Sequence, residues 1–217
     1  WAQRLGYDSA QIDQLFAGST DRSNWNNNGS ASESARQNYF GRASYDFDRK
    51  YLLGFNFRYD GSPIFPKETR WGFFPGVSAG WVVSNESFMP ENVFSNLKIR
   101  GSWGQLGNDR VDPFQYVGAF GYSNGWVIDG NDARGIAATT TPNPNITWEV
   151  SETTDIGLEV GLLDNRLTFE TDVYRTKTSD ILGTRQASIP GYTGLVLPDE
   201  NIGEMESQGI EFQVGYK

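Results

Sequence analysis

Residues 51–60 read YLLGFNFRYD, and this stretch decides the fold. Leu53, Phe55, Phe57 and Tyr59 fall on one side of an extended chain, and Gly54, Asn56, Arg58 and Asp60 on the other. Side chains of a strand switch faces at every residue, so the alternation predicts a strand with one apolar and one polar face. In a soluble sheet the apolar face lies in a core. In a membrane barrel it meets lipid, and the charged face lines a wet lumen.

The same alternation spreads outward in both directions. It predicts strands over about 38–48, 51–60, 72–84, 95–106, 146–162 and 167–178, and a seventh from about 207 onward. Asp48 and Arg49 form a tight turn between the first two, and 163–166 (LDNR) another. Longer connections cover 61–71, 107–145 and 179–206. Pro75 predicts a bulge or bend in the third strand, and 87–89 one helical turn. Outer-membrane barrels have short turns at one end and longer loops at the other, which matches this parity. Tyr39, Tyr51, Tyr59, Phe73, Trp81, Trp103 and Trp148 lie near strand ends, as in interfacial aromatic girdles. The expected fold class is all-β, an antiparallel up-and-down transmembrane β-barrel. Residues 1–37 read as an extracellular loop region and 38–217 as a barrel segment of about seven strands. An odd number with two bare edges does not close in lipid, so a larger barrel is expected.

Composition excludes several function classes. No apolar run approaches the ~20 residues of a spanning helix, whereas a barrel strand needs only ~9–11. Net charge is −9, which leaves no basic footprint for nucleic acid. Cysteine and histidine are both absent, which removes disulfides, thiolate metal sites and the Ser–His pairing of most hydrolases. Glu149 and Glu159 share a face but stand ~33 Å apart along a strand, too far to act as a catalytic pair. Residues 129–132 (DGND) lack the spaced ligands and terminal Glu of a calcium loop. No catalytic residue, metal site or cofactor is expected. A chain opening on Trp1 without a signal peptide is expected to start inside a longer protein.

Binding is the better expectation. The 107–145 loop carries Tyr116, Phe120, Tyr122 and Trp126, flat rings suited to stacking, with Asp129 and Asp132 as hydrogen-bonding groups. The rings either pack the loop and continue the neighbouring strands, or contact a ligand, which is cargo or a capping protein. The alternation assigns Arg42, Arg58, Arg100, Asp155, Glu159, Glu170 and Asp172 to a lumen. It assigns Leu53, Phe55, Phe57, Ile99, Trp103, Ile156, Leu158, Val160, Phe169 and Phe212 to outer-membrane lipid.

Five blocks carry a family resemblance. They are SYDFDRKYLLGFNFRYDGS, RWGFFPGVSAGWVVSNESF, LKIRGSWGQLGND, NPNITWEVSETTDIGLEVGLLDNRLTFETDVYRTKTSDIL and NIGEMESQGIEFQVGY. In this order they resemble the barrel of SusC/RagA-type TonB-dependent transporters of Bacteroidota. The resemblance implies a 22-stranded barrel plugged by an N-terminal domain. It also implies a multi-pass location in the cell outer membrane and import of large nutrients, as glycan or peptide oligomers. The implied partners are a SusD-like surface lipoprotein and, through N-terminal regions not seen here, the TonB complex. The plug and the remaining strands are likewise not seen. The competing reading is a soluble carbohydrate-binding β-sandwich, whose apolar faces would be mutually buried.

Overall fold

The computed structural model describes residues 2–5, 15, 18–27, 29, 31, 33–90, 93–185 and 196–217, apart from the side chains of 123–126 and 132–134. The chain divides into two units, Trp1–Ser34 and Ala35–Lys217. The first holds two short antiparallel strands, β1 (Ala2–Arg4) and β2 (Trp25–Asn27). The Arg4 guanidinium stacks 3.9 Å over the Trp25 ring. A 3-10 turn at Arg22–Asn24 starts where the Asp21 carboxylate accepts the Ser23 N–H at 3.0 Å.

The second unit is built on one seven-stranded sheet. Its strands are β3 (Gln37–Phe47), β4 (Tyr51–Gly61), β5 (Trp71–Val82), β6 (Asn96–Asn108), β9 (Glu149–Leu162), β10 (Leu167–Thr184) and β11 (Asp199–Tyr216). Between β6 and β9 the chain forms a separate hairpin, β7 (Ala119–Ile128) and β8 (Asn131–Thr140). The order in the large sheet is β11-β10-β9-β6-β5-β4-β3, antiparallel throughout, so the sheet is up-and-down with β7–β8 as an excursion. The sheet is open, with β3 and β11 at its edges.

The short turns follow from backbone twist. Asp48 and Arg49 both take positive φ (55° and 52°), and the Lys50 N–H closes the turn on the Phe47 carbonyl at 3.0 Å. Such mirror-image turns match the right-handed twist of the flanking strands. Three consecutive positive-φ residues, Leu163, Asp164 and Asn165, turn β9 into β10.

Several expectations need correction at strand ends. β10 and β11 run 18 residues each, so half of the expected 179–206 loop is strand, with shifts of register between Thr178 and Leu182. The 107–145 loop contains β7–β8, and Asp129 and Gly130 (φ 52° and 78°) are its turn. Pro75 causes no bulge. The β4–β5 register passes it opposite Phe57 without a shift, and the ladder to β6 ends next to it, at Gly76 and Gly104. A proline with no N–H is tolerated where a ladder has ended. A 3-10 turn lies at Val83–Asn85, and a single hydrogen-bonded turn follows where the Met89 N–H donates to the Glu86 carbonyl at 3.1 Å, next to the expected 87–89. β9 starts at Glu149, and the preceding Ile146 and Trp148 are buried instead in a small core with Phe65 and Phe74.

Candidate functional site

Register fixes which side chains share a face. One row across the sheet is Tyr45, Leu53, Ala79, Gly101, Ile156, Val173 and Ile210. The row two residues nearer the short turns is Phe47, Tyr51, Trp81, Ile99, Leu158, Thr171 and Phe212. All ten residues assigned to lipid share this face, and Leu53, Phe55, Ile99, Ile156 and Phe212 are exposed on it. The seven charged residues assigned to a lumen share the opposite face.

The apolar band runs diagonally in sheet coordinates. On β4 it reaches from Tyr51 to Tyr59; on β10 it reaches from Leu167 to Val173, beyond which come Arg175 and Lys177. Val173 aligns through the ladder with Leu53, six residues short of Tyr59 and four strand steps away. At the other margin Leu167 extends four residues past Thr171, which aligns with Tyr51. At ~3.3 Å per residue and ~4.8 Å per strand, the two margins become level when the strands tilt by roughly 35–45°. Membrane barrels tilt their strands by that amount.

The polar face has its own focus. The Arg100 guanidinium on β6 meets Asp155 at 3.2 Å, Glu159 at 3.1 Å and Asp172 at 2.7 Å. Lys98 also reaches Glu159, at 3.1 Å. Gly157 lies directly opposite Arg100, and a Cβ there would stand 2.7 Å from the guanidinium carbon. Its missing side chain is what admits the arginine. Glu159 pairs across the strand with Glu170, a like-charge contact that Lys98 and Arg100 offset. Glu170 and Glu211 have no ion-pair partner among the described residues, so this wall keeps an acidic excess.

The long-loop end is knitted by polar contacts over the small core. Trp148 packs 5.3 Å from both Phe65 and Phe74, and its indole N–H donates to the Arg70 carbonyl at 3.1 Å. The Thr69 hydroxyl donates to the Ile146 carbonyl at 2.7 Å. Buried Asp109 pairs with Arg36 at 2.9 Å. Gln115 locks onto Asp199: its amide donates to the carboxylate at 2.8 Å, and its carbonyl accepts the Asp199 N–H at 2.6 Å. Asn143 ties both, donating its N–H to the Gln115 carbonyl and its side-chain amide to the Asp199 carbonyl, each at 2.8 Å.

The predicted loop residues divide. Tyr116 packs against the small core. Phe120 and Tyr122 stand on one face of β7, 73% and 84% exposed, opposite Ala138 and Ile136 of β8. Asp129 forms the hairpin turn. The side chains of Trp126 and Asp132 lie outside the described residues. Sequence reasoning missed Gln115, Asn143 and Asp199, which carry no periodic signal.

A family profile described as TonB dependent receptor-like, beta-barrel matches residues 1–217. The chain is 35% identical over 184 residues to the TonB-dependent receptor SusC of Bacteroides thetaiotaomicron, covering 82% of this chain and 18% of that protein. It is 36% identical over 176 residues to TonB-dependent receptor P3 of Formosa agariphila, covering 81% of this chain and 17% of that protein. Among solved structures, the RagAB peptide importer in its closed-closed state superposes with a TM-score of 0.77 at 27% identity, covering 96% of this chain and 22% of that one. The siderophore receptor PirA from Pseudomonas aeruginosa shares the fold alone, with a TM-score of 0.53 at 11% identity over 82% of this chain and 30% of that one. The chain spans less than a fifth of the length of these curated relatives.

Proposed function

The chain belongs to the TonB-dependent receptor-like β-barrel family of the outer membrane, and from that membership we propose that it is a wall segment of an energy-coupled nutrient importer. The observation that carries the reading is the diagonal apolar band, which becomes a level belt at the tilt of a membrane barrel. A two-layer sandwich would bury Leu53, Phe55, Ile156 and Phe212 against a second sheet, yet all four are exposed.

In this reading the face bearing Leu53, Phe55, Phe57, Ile99, Trp103, Ile156, Leu158, Val160, Phe169 and Phe212 meets lipid. The face bearing Arg42, Arg58, Arg100, Asp155, Glu159, Glu170 and Asp172 lines the lumen. The cargo is a glycan or peptide oligomer, and a SusD-like lipoprotein caps the long-loop end. The similarity to the RagAB peptide importer supports the peptide class, and the resemblance of the five sequence blocks to SusC/RagA-type transporters supports an oligomeric cargo of either class. The exposed Phe120–Tyr122 face of the β7–β8 hairpin is the surface offered to cargo or cap. An isolated two-stranded hairpin is marginal in water, so one of them covers it. The intact protein should take up fluorescent oligosaccharide or peptide mixtures only in cells with a working TonB complex. Uptake that is unchanged without TonB would make it a passive pore and end the importer reading.

A further inference from the structure

We infer that the apolar face carries a site for one bound phospholipid with a zwitterionic headgroup, a phosphate beside a primary ammonium; this rests on the lipid-belt reading and is independent of the cargo. The chain end of the site is an apolar groove of about 610 Å³ inside the belt. Ala79 and Gly101 lie side by side in it, with Leu53 on one flank and Ile156 on the other. Val77 and Trp103 stand two residues nearer the long loops, and Trp81 and Ile99 two nearer the short turns. Two small residues ringed by larger ones leave a depression in the wall.

Three observations select the ligand. First, the sheet itself does not need Gly101 bare. A glycine weakens a strand, and at other positions packing demands it. A Cβ would collide with the Phe74 ring at Gly107, with the Ser78 hydroxyl at Gly54 and with the Arg100 side chain at Gly157. A Cβ at Gly101 would meet only the Asp155 carbonyl oxygen, at an ordinary 3.7 Å. A strand glycine left open in this way marks close approach by something outside the sheet. Second, the groove leads to cations. At a strand tilt of roughly 35–45°, the membrane normal climbs about one to two residues for each strand that it crosses. It climbs toward the long loops and from β6 toward β10, because the belt margin lies nearer the short turns on β10 than on β4. From Gly101 that line passes Thr154 on β9 and leaves the belt between Arg175 and Lys177 on β10. The Thr154 hydroxyl has no partner among the described residues. Third, the charges beyond the margin are mixed. Arg175 meets Glu206 at 2.9 Å and Lys177 meets Glu204 at 3.4 Å. Glu152, opposite Lys177, accepts the Gln105 amide at 3.1 Å but has no ion-pair partner among the described residues. Three carboxylates around two cations repel a polyanionic headgroup. A zwitterion matches them: its phosphate bonds Thr154, Lys177 and the N–H donors of Arg175 that Glu206 leaves free, and its ammonium bonds Glu152 and Glu206.

The test uses the intact protein in mild detergent, with native mass spectrometry and competition among phosphatidylethanolamine, phosphatidylglycerol of the same acyl chains and bis-phosphorylated lipid A. One phosphatidylethanolamine should stay bound, about tenfold tighter than either anionic lipid. Gly101→Leu fills the groove where a side chain meets open space, so the unfolding midpoint should hold while binding falls about tenfold or more. Ala79→Leu fills the same groove from β5 and should do likewise. Lys177→Met should weaken binding severalfold, and Glu152→Gln should erase the preference over phosphatidylglycerol. No retained lipid, retention untouched by both groove-filling variants, tighter binding of an anionic lipid, or a dimer that Gly101→Leu dissociates in place of a lipid would each overturn the site. Phe55→Arg tests the belt separately. If that charge is harmless, the belt falls and the site with it; if it is costly, the belt stands whatever becomes of the site.

Discussion

Glu86 shows how one residue can secure the turn end of a barrel. It follows the 3-10 turn after β5, where its carboxylate accepts the Tyr51 hydroxyl at 2.6 Å, the Trp81 indole N–H at 3.0 Å and the Lys50 ammonium at 3.3 Å. Two girdle aromatics and one cation therefore share a single acceptor. The Tyr51 hydroxyl first, then the Trp81 indole, hold the Glu86 carboxyl below the usual carboxylate range. A depressed acid stabilises the fold above its unfolded value, and the contribution fades as pH falls through the folded value. Glu86→Gln should therefore lower the unfolding midpoint of the intact protein in detergent at neutral pH. The gap from the parent should close on acidification, as the parent's own carboxyl protonates. A gap constant from neutral to acidic pH would mean that charge at Glu86 plays no part. Nothing in the sequence marked this residue, because three partners from two strands and a turn converge on it only after folding.

At the scale of the strand, the two faces were legible and the ends were not. Faces follow from a period of two that most of β4 and β9 obeys, Leu52 and Glu152 excepted, so spelling alone put Arg100 and Asp155 on one face, where they pair. Ends depend on ladders. β10 continues to Thr184 across irregular register at 178–182, where Asp180 takes φ 57° and alternation is lost. The Asp129-Gly130 pair is a strong hairpin signal that the loop expectation for 107–145 left unused, and it forms the β7–β8 turn. Faces also set the value of ion pairs. Arg100 answers three carboxylates from β9 and β10 and is only one-third exposed (34%). Arg175 grips Glu206 through two 2.9 Å bonds but is 62% exposed. Arg100→Met should cost about 1–3 kcal/mol, because it strands half-buried carboxylates without their cation. Arg175→Met should cost only about 0–1 kcal/mol. Urea midpoints of the two variants decide this, and equal losses would refute the special standing of Arg100.

Across the whole molecule, solvent is the organising variable. The residues described hold one small buried core, at the long-loop end, while most large apolar side chains of the sheet stay exposed. A water-soluble protein of this size could not leave so continuous a belt bare. In the proposed reading hydrocarbon satisfies it, and the tilt of roughly 35–45° that levels the belt places Phe55 midway between the Tyr51 and Tyr59 rings that mark its edges on β4. Asn56, the next residue, lies on the polar face beside Gly76. The pair therefore makes an internal control, one residue apart and on opposite sides of the wall. Phe55→Arg should destabilise the intact barrel by about 2–4 kcal/mol, the cost of a cation near the bilayer midplane. Asn56→Arg adds the same charge to a wet face and should cost well under half of that. Refolding titrations of the two variants in lipid vesicles measure both. Comparable losses would remove the distinction between the faces, and with it the lipid belt from which the position of every lumen residue is reckoned.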